Sequence, residues 1–240
     1  MVLMDAMEAS SASNGAPTAP TSDLIKQMIE KGQNYIADKT PSQARILFVE
    51  AWNLARESGE DHYLVEVAQL MALIEPQKTQ QDWIRKAIEV AESSSQEKAR
   101  QQLGNLYTSL AWKLFDLRQF ENALTTFEKS LVHLREQNSV KEIFVARWSM
   151  GKVLRAMNRT EEALVIQKSL LSEIGIGGTP DGRVFEELAE CLQALHKVAE
   201  AEPYFALAYK ELSSNEWIAD NQPVKLKRLK DLGKVKEKRG

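Results

Sequence analysis

The sequence predicts an all-α chain, a solenoid of about five helix-turn-helix hairpins closed by a C-terminal capping helix. Two observations carry this expectation. Small residues on apolar helical stripes recur at a constant offset of twelve, pairing Gly32 with Ala44, Ala68 with Gln80, Ala111 with Ala123, Gly151 with Ala163 and Ala189 with Ala201. The pairs themselves recur at intervals of 36, 43, 40 and 38 residues, a period typical of stacked supersecondary units. Composition agrees: 240 residues, 43% hydrophobic and 27% charged, suit a mostly helical protein with enough apolar mass for a continuous core.

The offset has a physical cause. Two helices approach closely only where small side chains face each other, so each hairpin needs one such residue per helix, a fixed distance apart across a short turn. Larger residues fill in around these contacts. The first unit, near 24–58, supplies Met28, Tyr35, Phe48 and Ala51; the second, near 61–93, supplies Leu64, Val67, Met71, Ile84 and Ala87. The third, near 99–137, has Tyr107, Leu110, Leu114, Phe120 and Phe127. The fourth, near 141–174, is looser, with Met150, Leu154 and Leu170, and the fifth, near 181–213, repeats the set with Phe185, Leu188, Leu192, Val198 and Phe205. Lys31, Gln80 and Gln167 depart from the pattern, standing where Leu, Ala and an aromatic are expected. Each unit buries its stripe against its neighbours, so residues 23–212 read as one cooperative array.

The ends differ. Residues 1–22 read as a disordered leader, because the stretch from 8 to 22 is small, polar and proline-containing, too poor in apolar mass to offset ordering entropy. Residues 220–240 read as a basic capping helix and tail. Asp220, Asn221, Gln222 and Pro223 resemble a helix start, with proline in the first turn, and Leu226, Leu229, Leu232 and Val235 share a face. From 224 to 240 the tail carries eight Lys or Arg against Asp231 and Glu237. That polarity either solvates the cap or contacts nucleic acid or an anionic membrane.

The pattern resembles the tetratricopeptide repeat family over roughly residues 24–210. The resemblance rests on Tyr107-x-x-Leu110-Ala111-x-x-Leu114 with Ala123-x-x-x-Phe127, and on Phe185-x-x-Leu188-Ala189-x-x-Leu192 with Ala201-x-x-x-Phe205. The terminal proline of the family pattern is missing, and the repeats exceed the usual length of ~34. The resemblance implies a right-handed superhelix whose first helices line a concave groove. Groove residues would then include Lys26, Ile29 and Gln33, then His62, Val65 and Gln69. Further along come Asn105, Thr108, Trp112 and Phe115, followed by Trp148, Lys152 and Arg155.

Of these, Trp112, Phe115 and Trp148 are candidate anchors, since aromatic residues dominate binding hot spots. Lys152 and Arg155 favour an acidic partner unless Glu186 and Glu190 on the next hairpin neutralise them. The clamp by which some relatives grip chaperone tails is not met, because Asn105 and Lys152 are isolated members of it.

Nothing in the sequence composes a catalytic site. His62, His133 and His196 are far apart and outside any metal-ligand spacing. Cys191 sits among Ala189, Leu192 and Leu195, as a buried inert thiol would. The glycine-rich stretch from Gly175 to Gly182 lacks the Lys and hydroxyl of a phosphate loop and follows a helix, so it reads as a connector. The expectation is a non-enzymatic adaptor without cofactor or metal, binding an unidentified protein or peptide of acidic or aromatic character. Tethering to nucleic acid or membrane through the tail, and self-assembly, are the alternatives. Acidic Asp5 and Glu8, the absence of a long apolar run and the single cysteine point to the cytoplasm.

Overall fold

The computed structural model describes residues 19–175 and 180–236, with side chains from Thr21. Most of the expected leader and part of the glycine-rich connector lie outside the described residues. Thirteen helices and no strand occur among those described. Residues 19–22, expected in the leader, form the first turn of α1.

The chain divides into two units, residues 1–100 and 101–240. The N-terminal unit contains α1 (Ala19–Ala37), α2 (Pro41–Glu57), α3 (Asp61–Ile74), α4 (Gln77–Ser93) and the single turn α5 (Glu97–Arg100). α1 packs on α2, α3 on α4, and α2 on α3, so the two hairpins stack. Their core gathers Ile25, Ile29, Phe48, Leu64, Val67 and Met71. Gly32 is needed for that packing, because a Cβ there would lie 2.3 Å from the Phe48 ring. Ile29 and Val65, expected in the groove, are buried instead. Each lies one position after a stripe residue, so the apolar face is wider than the repeat pattern alone implies.

The C-terminal unit contains α6 (Leu103–Asp116) with α7 (Phe120–Glu136), α8 (Val140–Ala156) with α9 (Thr160–Gly175), and α10 (Gly182–Ala194) with α11 (Val198–Ser213). Two short helices follow, α12 (Glu216–Asn221) and α13 (Pro223–Leu232). Asp220 and Asn221 belong to α12, so the capping helix proper starts at Pro223. Its Leu226 and Leu229 are buried against Phe205, Ala208 and Leu212 of α11. Gln167, where an aromatic was expected, is fully buried, and its amide donates to the Trp148 carbonyl at 3.2 Å. Gln80 donates to the Glu75 carbonyl at 2.9 Å, whereas Lys31 is exposed.

Four of the five hairpin turns share one device, as do connections between hairpins, whereas the α3–α4 turn runs through Glu75 and Pro76 at negative φ. Lys39, Arg118, Asn138, Asn158 and His196 all have positive φ, and the next residue's N–H reaches back to the helix. Gln119 bonds Leu114 and Lys197 bonds Leu192, each at 2.9 Å. This left-handed C-cap satisfies carbonyls that the helix end would leave open. No helix among the described residues is long and apolar enough to cross a membrane.

Candidate functional site

The first helices of the C-terminal hairpins, α6, α8 and α10, are neighbours, and the aromatic side chains converge there. Trp112 of α6 and Trp148 of α8 stand about one turn apart in repeat register, Trp148 matching Thr108 and Trp112 matching Lys152, and their ring centroids lie 5.8 Å apart and tilted by 43°. The Phe115 ring meets Trp112 edge-on at 5.5 Å, and Phe127 from the core does the same. All three groove aromatics are half-buried. Trp148 also bridges hairpins, since its Nε1–H donates to the Arg183 carbonyl at 3.0 Å. One face of this pair thus packs and another remains open.

Cations surround these rings. The Lys152 Nζ lies 5.4 Å from the Trp148 centroid and 5.9 Å from that of Trp112, and the Arg183 guanidinium lies 5.4 Å from Trp148. Ring quadrupoles attract such charges. From the next hairpin Arg155 is paired with Glu187, Glu190 adding a weaker attraction, and Lys152 shares the same carboxylate. Arg155 donates two hydrogen bonds to the Glu187 carboxylate, at 2.8 and 3.0 Å, and Lys152 approaches it at 3.8 Å. Burial works against the Arg155 charge, yet the bonds and the charge of Glu187 outweigh it and raise the guanidinium pKa. Glu187 is only 2% exposed. Its single charge is taken up by Arg155 and only shared by Lys152 at longer range.

Two of the expected residues sit apart from this cluster. Asn105 and Thr108 border a smaller hollow of about 150 Å³ with Lys141, Glu142 and Val145. The Thr108 hydroxyl is engaged with Ser130 at 2.8 Å, and Ser130 in turn donates to the Gly104 carbonyl at 2.7 Å. Thr108 thus serves the α6–α7 contact, while Asn105 is exposed.

Trp148 and Lys152 also form an edge of a cleft of about 830 Å³ reaching to α10, α11 and α12. Arg183, Glu211 and Trp217 line it further on, and sequence reasoning singled out none of the three as anchors. A signal existed for Glu187, a charge at an apolar position between Val184 and Cys191. Trp217 carried none, because α12 lies outside the repeat. Among the described residues no cluster of His, Cys, Asp or Glu could hold a metal ion. Cys191 is buried, and burial first, with the Glu187 charge second, pushes its thiol pKa up to about 12.

Three cations of the basic tail are paired with the last hairpin. Lys225 pairs with Glu186 at 2.6 Å, Arg228 with Glu190, and Lys234 with Glu202 at 2.5 Å. These contacts pin α13 to the last hairpin. Residues 237–240 lie outside the described residues.

No family model matches the chain, and no curated protein matches it in sequence. Solved structures do match in fold. The nearly identical TPR-like repeats of a kinesin light chain assigned in Podosopora anserina superpose with a TM-score of 0.65 at 12% identity, covering 82% of this chain and 98% of that one. Aspartyl phosphate phosphatase F from Bacillus subtilis gives 0.67 at 14% identity, covering 90% of this chain and 56% of that one. PilF of Pseudomonas aeruginosa gives 0.58 at 14% identity, with 90% and 95% covered. The paired small residues, the hairpin order and these likenesses agree that the chain has a tetratricopeptide-like helical-repeat fold.

Proposed function

We propose that the chain is a non-enzymatic adaptor of the cytoplasm that holds a peptide or protein segment against the first helices of its C-terminal hairpins. The observation that carries this reading is the half-buried cluster of Trp112, Phe115 and Trp148, which adjoins a cleft of about 830 Å³. Partly desolvated aromatic faces beside a concavity are where binding energy concentrates. Lys152 and Arg155, held by Glu187, keep α8 and α10 in register so that the cluster is preformed. Preorganisation of that kind lowers the ordering cost of association.

The test compares affinity capture by the wild-type chain, a Trp112→Ala/Phe115→Ala variant and a variant truncated after Asn221, each with and without nuclease. Trp148 is left intact because it bridges hairpins. Partners lost from the aromatic variant, with helicity unchanged, support the groove. Partners lost with the tail or with nuclease would instead make the chain a platform tethered by residues 224–240. Light scattering across a concentration series separates both from self-assembly.

A further inference from the structure

The cleft at the end of the C-terminal unit has a charge balance that indicates what it binds. Its carboxylates are answered unevenly. Asp181 accepts Arg183 through Nε at 3.0 Å and Nη2 at 2.7 Å, and Glu186 accepts Lys225 at 2.6 Å, while Lys152 shares Glu187 with Arg155. Burial pushes the Asp181 carboxyl upward, but the Arg183 bonds outweigh it and hold the group below its usual range. Glu211 is placed differently. Its ion-pair contact is with neighbouring Lys210 at 4.0 Å, whose side chain is 77% exposed, and a screened pair of that kind contributes little. Glu211 is therefore the lining carboxylate that no cation from another helix answers among the described residues.

A second observation concerns the aromatic wall. Trp217 lines the same cleft and is 63% exposed, whereas Trp148, which also lines it, already carries Lys152 and Arg183 over its ring. The unit thus shows cations settling on tryptophan faces, and leaves Trp217 exposed in the same cleft as Glu211. We propose that the cleft takes an arginine or lysine side chain from an extended partner segment, laid on Trp217 and neutralised by Glu211. The pairing uses cation–π attraction and charge complementarity together. It rests on the peptide-binding reading above and names the chemistry of the bound residue, replacing the acidic preference that the sequence suggested.

A phage-displayed random peptide library panned against the immobilised full chain tests this, with enriched peptides then synthesised and titrated by fluorescence anisotropy. Enriched sequences should carry Arg or Lys at one fixed position. Replacing that residue by Ala, or the chain's Glu211→Lys or Trp217→Ala, should each weaken binding at least tenfold, with helicity unchanged by circular dichroism, and Glu211→Gln, which keeps the shape of the side chain, should weaken it in the same direction. Enrichment of Asp- or Glu-rich sequences would overturn the proposal. Peptides weakened by Trp112→Ala but indifferent to Trp217→Ala and Glu211→Lys would overturn it while leaving the groove reading intact. Failure to enrich any peptide, or indifference to all three substitutions, would overturn both.

Discussion

Each unit of this chain contains a pair of tryptophans from successive hairpins, and the two pairs are built into opposite parts of the hairpin. In the N-terminal unit Trp52 and Trp83 belong to the second helices α2 and α4, meet edge-on at 5.4 Å, and pack against the core of Ile25, Phe48 and Met71. In the C-terminal unit Trp112 and Trp148 belong to the first helices, meet at 5.8 Å, and draw Lys152 and Arg183 around them. The same residue type therefore holds hairpins together in one unit and edges a cleft in the other. What distinguishes them is the helix that bears them, which sets whether the ring faces the stack or the first-helix surface.

The largest effect should come from Glu187→Ala. Removing it leaves the Arg155 guanidinium half-buried without its carboxylate, and breaking such a pair costs about 3 kcal/mol. Urea unfolding should show the loss in the C-terminal unit, and an unchanged midpoint would mean that the ion pair does not hold α8 to α10.

The tryptophan comparison is next. Trp52→Ala should cost about 2 to 3 kcal/mol of stability, at the low end for a truncated aromatic because the ring is only half-buried, and leave peptide affinity unaltered. Trp112→Ala should reverse that balance, losing about tenfold or more in affinity, as for a hot-spot residue. Equal behaviour of the two would erase the distinction between the units.

A smaller contrast concerns the glycines. Gly32→Ala would drive a Cβ to 2.3 Å from the Phe48 ring and should cost about 2 kcal/mol by overpacking. Gly151→Ala meets the end of the Gln167 side chain at the same distance. That amide can swing aside more cheaply than a ring locked in a core, so calorimetry should find a lower cost there.

The smallest effect is a gain. His196 holds φ of 61°, a conformation that glycine adopts without the Cβ penalty, so His196→Gly should stabilise the last hairpin by about 0.5 to 1 kcal/mol. A fall in the melting temperature would show that the imidazole makes a contact worth more than the strain.

The hairpins were legible because their determinants are local. Gly32 meets Phe48, and the recurrence of small against large at short offsets records which faces approach. The turns were less legible, since Lys39, Arg118, Asn138, Asn158 and His196 take positive φ without being the glycine that usually announces such a cap, which only the α2–α3 turn supplies, at Gly59, among the described residues. Backbone hydrogen bonds outweigh the cost at these positions, and sequence carries little trace of that. In the site, Trp112, Phe115 and Trp148 were legible as first-helix residues off the packing stripe. The partner of Lys152 and Arg155 was not, because Glu186, Glu187 and Glu190 differ only by rotation around α10. Side-chain placement gave Glu186 to Lys225 and Glu190 to Arg228, leaving Glu187 for α8.

The sequence by itself determined the hairpin stack, because close approach of two helices joined by a short turn depends on residues twelve to sixteen apart. Only the tertiary structure decided which charges are spent and which remain. Ion pairs such as Arg155 with Glu187 and Arg228 with Glu190 span 32 and 38 residues, and their partners are selected by a few ångströms of side-chain reach. Glu211 and Trp217 became visible as open groups only once every neighbouring cation had been assigned.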